Sequence, residues 1–121
     1  MAMDIANYLN EFMLDNNHPK GSGIKFYINN FASNYECNSL MKDYLRCYYG
    51  DRKNNPTSED NEKFVKQHLP QFKREVEACL LLSNFCWGVW ALAMLSDTDI
   101  CNGTVYNYEF ASSRVEMYKR T

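Results

Sequence analysis

The stretch ACLLLSNFCWGVWALAML, residues 78–95, runs for eighteen positions without a charged side chain, and its reading decides the fold. That length touches the lower limit for a membrane-spanning helix. Ser83, Asn84 and Gly88 interrupt it, however, and the flanking Lys73, Arg74, Glu75 and Glu77 lie at one end with both signs mixed, so positive charge does not separate to one side. A helix that is apolar nearly all round is expected at a protein's centre as well as in lipid. The stretch is therefore read as the buried central helix of the domain, with no membrane insertion expected.

Upstream, Ser58-Glu59-Asp60-Asn61-Glu62 has the form of a helix start, with negative charge in the first turn. Phe64, Val65, His68 and Leu69 follow, and Pro70 predicts a break or kink. Phe72, Val76, Cys79 and Leu80 then lead into the apolar run. Earlier still, Asn38 or Ser39 is the expected cap of a helix that buries Leu40, Met41, Tyr44, Leu45 and Tyr48 and is ended by Gly50 to Thr57. Residues Ile24 to Tyr35 read as an aromatic-rich loop packed on the domain. Asp4 is the expected N-cap of a first helix carrying Ile5, Tyr8, Leu9, Phe12 and Met13 at helical spacing, reaching Asn16 and stopped by the breaker cluster 16–23. Downstream, Ser96 to Asp99 ends the central helix and Cys101 to Thr104 makes a tight connection. A last helix, Tyr106 to Lys119, puts Tyr106, Phe110, Arg114 and Met117 near one face, with Lys119 and Arg120 by its C-terminal dipole. No segment alternates with a two-residue period, so the expected fold class is all-α.

At 121 residues the chain bounds one domain, and 45% hydrophobic with 15% aromatic residues excludes a disordered chain. Thirteen basic residues against fifteen acidic ones give a net charge of −2, which provides no field for a nucleic-acid backbone. The five cysteines, at 37, 47, 79, 86 and 101, show no CxxC pair and have no neighbouring histidine. They read as free, mostly buried thiols in a reducing compartment, with no metal site. MAMDIANYLNEF lacks the basic and apolar regions of a signal peptide, so a cytoplasmic location is expected.

The chain carries no phosphate-binding glycine loop, GxSxG elbow or HExxH, and neither the HxDxxxxN nor the DFG-like elements that a kinase needs for phosphoryl transfer. No catalytic residue is therefore assigned. What is distinctive is aromatic: Trp87 and Trp90, at i and i+3, share one helix face, and the last helix offers Tyr106, Tyr108 and Phe110. Aromatic faces with an acid such as Glu11 nearby are how proteins hold quaternary ammonium groups. At this level, core packing of the pair and a solvated Glu11 stand beside that reading.

Arg74 to Leu92, REVEACLLLSNFCWGVWAL, resembles the signature E-V-x-x-x-x-L-x-S-H-F-x-W-G-L-W of the choline/ethanolamine kinase family. Glu75, Val76, Leu81, Ser83, Phe85, Trp87, Gly88 and Trp90 fall in step, while Asn84 stands where the family usually has His. MDIANYLNEF is similar to its F-D-I-x-N-H-F-x-E-W at Asp4, Ile5, Asn7 and Glu11, with Met3, Tyr8 and Phe12 replacing aromatic and His positions. YEFASSRVEMY resembles the closing Y-x-x-Y-A-x-x-R-F-x-x-Y at Ala111, Arg114 and Tyr118, with Phe110 in place of a tyrosine.

The resemblance implies that residues 1–121 form one helical segment, a C-terminal-lobe fragment of a protein-kinase-like fold. On this reading the chain is the amino-alcohol-binding part, with the ATP-binding lobe and catalytic loop absent. The implied activity is ATP-dependent phosphorylation of choline or ethanolamine, the first step of phosphatidylcholine and phosphatidylethanolamine synthesis. Trp87, Trp90 and Phe110 are the implied pocket walls and Glu11 the implied acid; Tyr106 or Tyr108 is the alternative third wall. Asp4 resembles an aspartate that braces the catalytic loop in kinase-like folds. ATP and Mg2+ are cofactors of the complete kinase and none is expected for this chain alone, which should be inactive by itself. Expected partners are choline or ethanolamine, the missing N-terminal kinase portion and a second copy in a homodimer. The rival expectation is a non-catalytic module that binds a partner through the apolar helix at 78–95.

Overall fold

The computed structural model describes residues 1–17, 19, 24–94 and 106–120. These residues are mostly helical, in four helices: α1 (Ala2–Glu11), α2 (Asn34–Arg52), α3 (Ser58–Ala93) and α4 (Tyr106–Arg120). Two short strands, β1 (Leu14–Asp15) and β2 (Lys25–Phe26), pair antiparallel with Leu14 opposite Phe26, and a 3-10 turn follows at Ile28–Asn30. The stop at Ser96 to Asp99, the connection at Cys101 to Thr104, Cys101 and His18 lie outside the described residues.

Helix α3 is the spine against which α1, α2 and α4 each pack. Its 36 residues span about 54 Å at 1.5 Å per residue. The start matches the expectation, closed by a capping box in which Thr57 Oγ1 accepts from Asp60 N at 3.1 Å and Thr57 N donates to Asp60 Oδ2 at 3.2 Å. Pro70 does not break the helix as expected. It withdraws one amide from the ladder, and both Pro70 and Lys66, whose carbonyl that amide would have met, lie on the exposed side.

Helix α2 begins at Asn34 with Ser33 as its cap, five residues before Asn38 and six before Ser39, the two expected caps. Ser33 provides the stronger start: Glu36 N donates to its Oγ at 3.3 Å, and its own amide donates to Glu36 Oε2 at 2.7 Å. The helix also runs through Gly50 to Arg52, beyond the expected stop. Only Met41 and Leu45 on it are buried, with Leu40, Tyr44 and Tyr48 half-buried.

Helix α1 ends at Glu11, not Asn16, and Asp4 lies in its exposed first turn rather than capping it. The residues after Glu11 take other backbone partners. Met13 N bonds Asn10 O at 3.2 Å, Tyr27 N bonds Met13 O at 2.8 Å, and β1 joins β2. The segment 24–35 does pack down on the domain, burying Ile24 and Ala32.

One hydrophobic cluster joins Ile5, Ala6 and Leu9 of α1 with Met41 and Leu45 of α2 and Val65, Phe72, Val76 and Leu80 of α3. Tyr44 stacks on Phe72 at 5.6 Å between ring centroids, and Phe64 lies between Tyr49 at 4.4 Å and His68 at 4.0 Å. A second, smaller cluster joins Ile24, Ala91, Phe110 and Ala111, where α4 meets the C-terminal half of α3.

The stretch 78–95 is not buried all round. Leu80, Ser83, Asn84, Gly88 and Ala91 face inward, whereas Leu81, Leu82, Phe85, Val89 and Leu92 form an exposed strip. By length and composition alone α3 could cross a membrane. Cys47 and Cys86 are exposed and Cys37 and Cys79 half-buried, so the described thiols are free but not mostly buried. Burial first, then the neighbouring Glu36 carboxylate, pushes the Cys37 thiol up from its ordinary value.

Candidate functional site

Between the two hydrophobic clusters runs a seam of polar side chains where α1, α3 and α4 converge. Asn10, Ser83 and Asn84 are wholly buried and Arg114 is 1% exposed. Buried polar groups cost stability unless they are bonded, and each of these four side chains is bonded to another of them. Asn10 Nδ2 donates to Leu80 O at 3.3 Å and to Ser83 Oγ at 3.1 Å. Asn84 Nδ2 donates to Asn10 Oδ1 at 3.4 Å, and Arg114 donates to Asn84 Oδ1 at 3.3 Å. At the seam's outer edge, Ser83 Oγ and Trp87 Nε1 both donate to Asn7 Oδ1, at 2.6 and 3.2 Å. Arg114 also forms an ion pair with Glu11 Oε1 at 2.5 Å.

Local sequence explains how each element reaches the seam. On α1, Asn7 and Asn10 flank the apolar stripe Ile5–Ala6–Leu9, so they point to the same neighbour. On α3, Ser83 and Asn84 continue the inward face of Val76 and Leu80. Gly88 and Ala91 then leave room for α4, where a Cβ on Gly88 would meet Arg114 Cβ at 3.5 Å. Phe110, Ala111, Arg114 and Met117, at helical spacing, form the buried face of α4.

Above the seam opens a cleft of about 460 Å3. Glu11, Trp87, Trp90 and Phe110, all four of the residues expected at a site, line it together. Trp87 and Trp90 are 38% and 48% exposed, their ring centroids 5.6 Å apart and their planes at 81°, so the two indoles form a corner. Phe110 is 7% exposed and has the Arg114 guanidinium 4.8 Å from its ring centroid. Tyr108 is exposed and does not line the cleft, and the Tyr106 side chain lies outside the described ones.

Asn7, Tyr8, Asn16 and Arg114 complete the lining. Asn7 and Arg114 belong to matched motifs, yet nothing local signals their partners, since Arg114 and Glu11 stand 103 positions apart. The mismatched Asn84 has a clear role. Its amide offers a donor to Asn10 and an acceptor to Arg114 at once, without adding charge beside the guanidinium.

Fold and site define a helical module with an aromatic cleft beside a compensated carboxylate. The chain belongs to the choline/ethanolamine kinase family, whose family model matches residues 1–119. Neither the curated proteins nor the solved structures compared with the chain give a match.

Among the described residues, no three His, Cys, Asp or Glu side chains come together in a way that could hold a metal ion. The donor set of the described residues does not fit a magnesium site.

Proposed function

We propose that this chain supplies the amino-alcohol pocket of a choline/ethanolamine kinase. The observation that carries the reading is the meeting of Glu11, Trp87, Trp90 and Phe110, from three separate helices, on one cleft. In it the cationic nitrogen of choline or ethanolamine lies in the indole corner, beside the Glu11 carboxylate whose charge Arg114 partly offsets. The bound alcohol's oxygen attacks the γ-phosphorus of ATP, the bond to the β–γ bridging oxygen breaks, and ADP leaves. The hydroxyl proton passes to an aspartate outside the described residues. ATP and Mg2+ are held by parts of a kinase-like fold other than these helices. The residues described here bind and orient the alcohol, and alone they give weak binding and no turnover. The enzyme is read as cytoplasmic, acting at the entry to phospholipid synthesis.

The test is choline phosphorylation by the kinase carrying Trp87→Ala or Trp90→Ala. KM for the amino alcohol rises on the order of threefold to thirtyfold in each, as expected for one desolvated cation–π wall, while KM for ATP stays the same. An unchanged amino-alcohol KM in both variants rejects the assignment.

One observation favours a second reading, a non-catalytic module that binds a partner. The strip Leu81, Leu82, Phe85, Val89 and Leu92 is exposed and contiguous on the outer face of α3. In the kinase reading that strip meets the N-terminal kinase portion or a second copy. Heavy self-association on size exclusion, without choline binding, favours the module over the pocket.

A further inference from the structure

The charges of the cleft are unusual for a cation pocket. Of its lining residues only Glu11 and Arg114 are charged, and they are paired with each other through Glu11 Oε1. Arg114 cannot easily swing away, because it is 1% exposed, bonded to Asn84 and set against the Phe110 ring. Among the other acceptors of the lining, Asn7 Oδ1 is also engaged, since it receives both the Ser83 hydroxyl and the Trp87 indole N–H, which leaves the exposed Tyr8 hydroxyl and the Asn16 amide as the uncharged alternatives. A carbonyl oxygen has two lone-pair sites, and both are taken.

These facts weigh differently on two kinds of cation. A primary ammonium brings three N–H donors that water satisfies outside the cleft and that need acceptors inside it. A quaternary ammonium has no N–H, holds its hydration weakly and needs only aromatic faces. Those the cleft provides in the two half-exposed indoles.

We infer that the cleft discriminates between quaternary and primary ammonium alcohols in favour of the quaternary, because the buried Arg114 offsets the charge of Glu11 and shifts recognition toward the indole faces. The inference rests on the amino-alcohol-pocket reading. In it Arg114 is a positioning residue that fixes the Glu11 carboxylate and sets how much of its charge the ligand feels.

The chain has only two tryptophans and both line the cleft, so its intrinsic fluorescence reports this site. The intact chain is titrated with choline and with ethanolamine at pH 7.5 and constant ionic strength. Choline binds at least about tenfold more tightly, the discrimination expected when an N–H donor set is left without partners. In Arg114→Met, with helix content checked by circular dichroism, the freed carboxylate brings the ratio down to about threefold or less. Glu11→Gln, at a half-exposed position, keeps the test alive if that variant does not fold. There Arg114 has lost its Glu11 partner, which weakens both cations, ethanolamine more, and the ratio widens. Equal binding of the two alcohols by the wild-type chain overturns the inference and leaves the pocket reading standing. So does a ratio unchanged in folded Arg114→Met, or one that collapses in Glu11→Gln. A fluorescence signal indifferent to both alcohols removes the pocket reading, and the inference with it.

Discussion

Replacing Asn84 by Ala tests whether the buried polar seam holds α1, α3 and α4 together. Asn84 is fully buried, accepts from Arg114 at 3.3 Å and donates to Asn10 at 3.4 Å. A hydrogen bond to a charged group contributes about 1.5–3 kcal/mol and a neutral one about 0.5–1.5 kcal/mol. Both bonds here are long, so the lower halves of those ranges apply. Truncation also leaves the Asn10 carbonyl short of a donor. The expected cost is about 3 kcal/mol, a large part of the roughly 5–15 kcal/mol that stabilises a domain of this size. It corresponds to a fall in Tm of about 10 °C. Urea unfolding followed by far-ultraviolet circular dichroism reads it as a lower midpoint with an unchanged slope. A double-mutant cycle with Arg114→Met isolates the pair, with an expected coupling of about 1–2 kcal/mol. A loss below about 0.5 kcal/mol in Asn84→Ala, or strict additivity in the cycle, refutes the view that the seam carries stability.

Two further predictions concern the helices that frame the site. Capping bonds from Ser33 and Thr57 hold the Glu36 and Asp60 carboxyls below their ordinary values of 4.5 and 3.8. Because the folded values are depressed, this stabilisation is complete above the ordinary values and lost as pH falls through the lowered ones. Wild-type ellipticity at 222 nm therefore drops more between pH 5 and pH 3 than that of a Glu36→Gln, Asp60→Asn double variant; matching acid profiles count against the boxes. Gly88→Ala is tolerated or stabilising by up to about 1 kcal/mol, since helix propensity rises and the new methyl makes ordinary contact with Arg114 Cβ at 3.5 Å. Gly88→Leu pushes α4 away and lowers the urea midpoint, and an Ala variant as damaging as the Leu variant contradicts that packing.

The features legible in the sequence are those set by short-range geometry. Trp87 and Trp90 share a face because three residues make nearly one turn. Ser58 to Glu62 opens α3 because a helix start with acidic residues in its first turn depends only on that turn. Phe110, Arg114 and Met117 form one buried face because helical spacing places them there. Ser33-x-x-Glu36 is an equally local signal, and it places the start of α2 ahead of the more hydrophobic stretch that follows. Other features depended on partners remote in the chain. The end of α1 was decided by β2 taking the backbone bonds of residues 13–15, and Pro70 was tolerated because the gap it makes faces outward. The inward side of 78–95 was decided by what α1 and α4 carry. Ser83 and Asn84 face inward because Asn10 and Arg114 meet them there, while the more apolar Leu82, Phe85 and Val89 are left outside. The sequence by itself therefore determined the helices and the residues that share their faces. Only the tertiary structure decided that Glu11 would meet Arg114 rather than stand alone in the cleft, because the energy of a buried charge depends on neighbours that the chain brings together only when it folds.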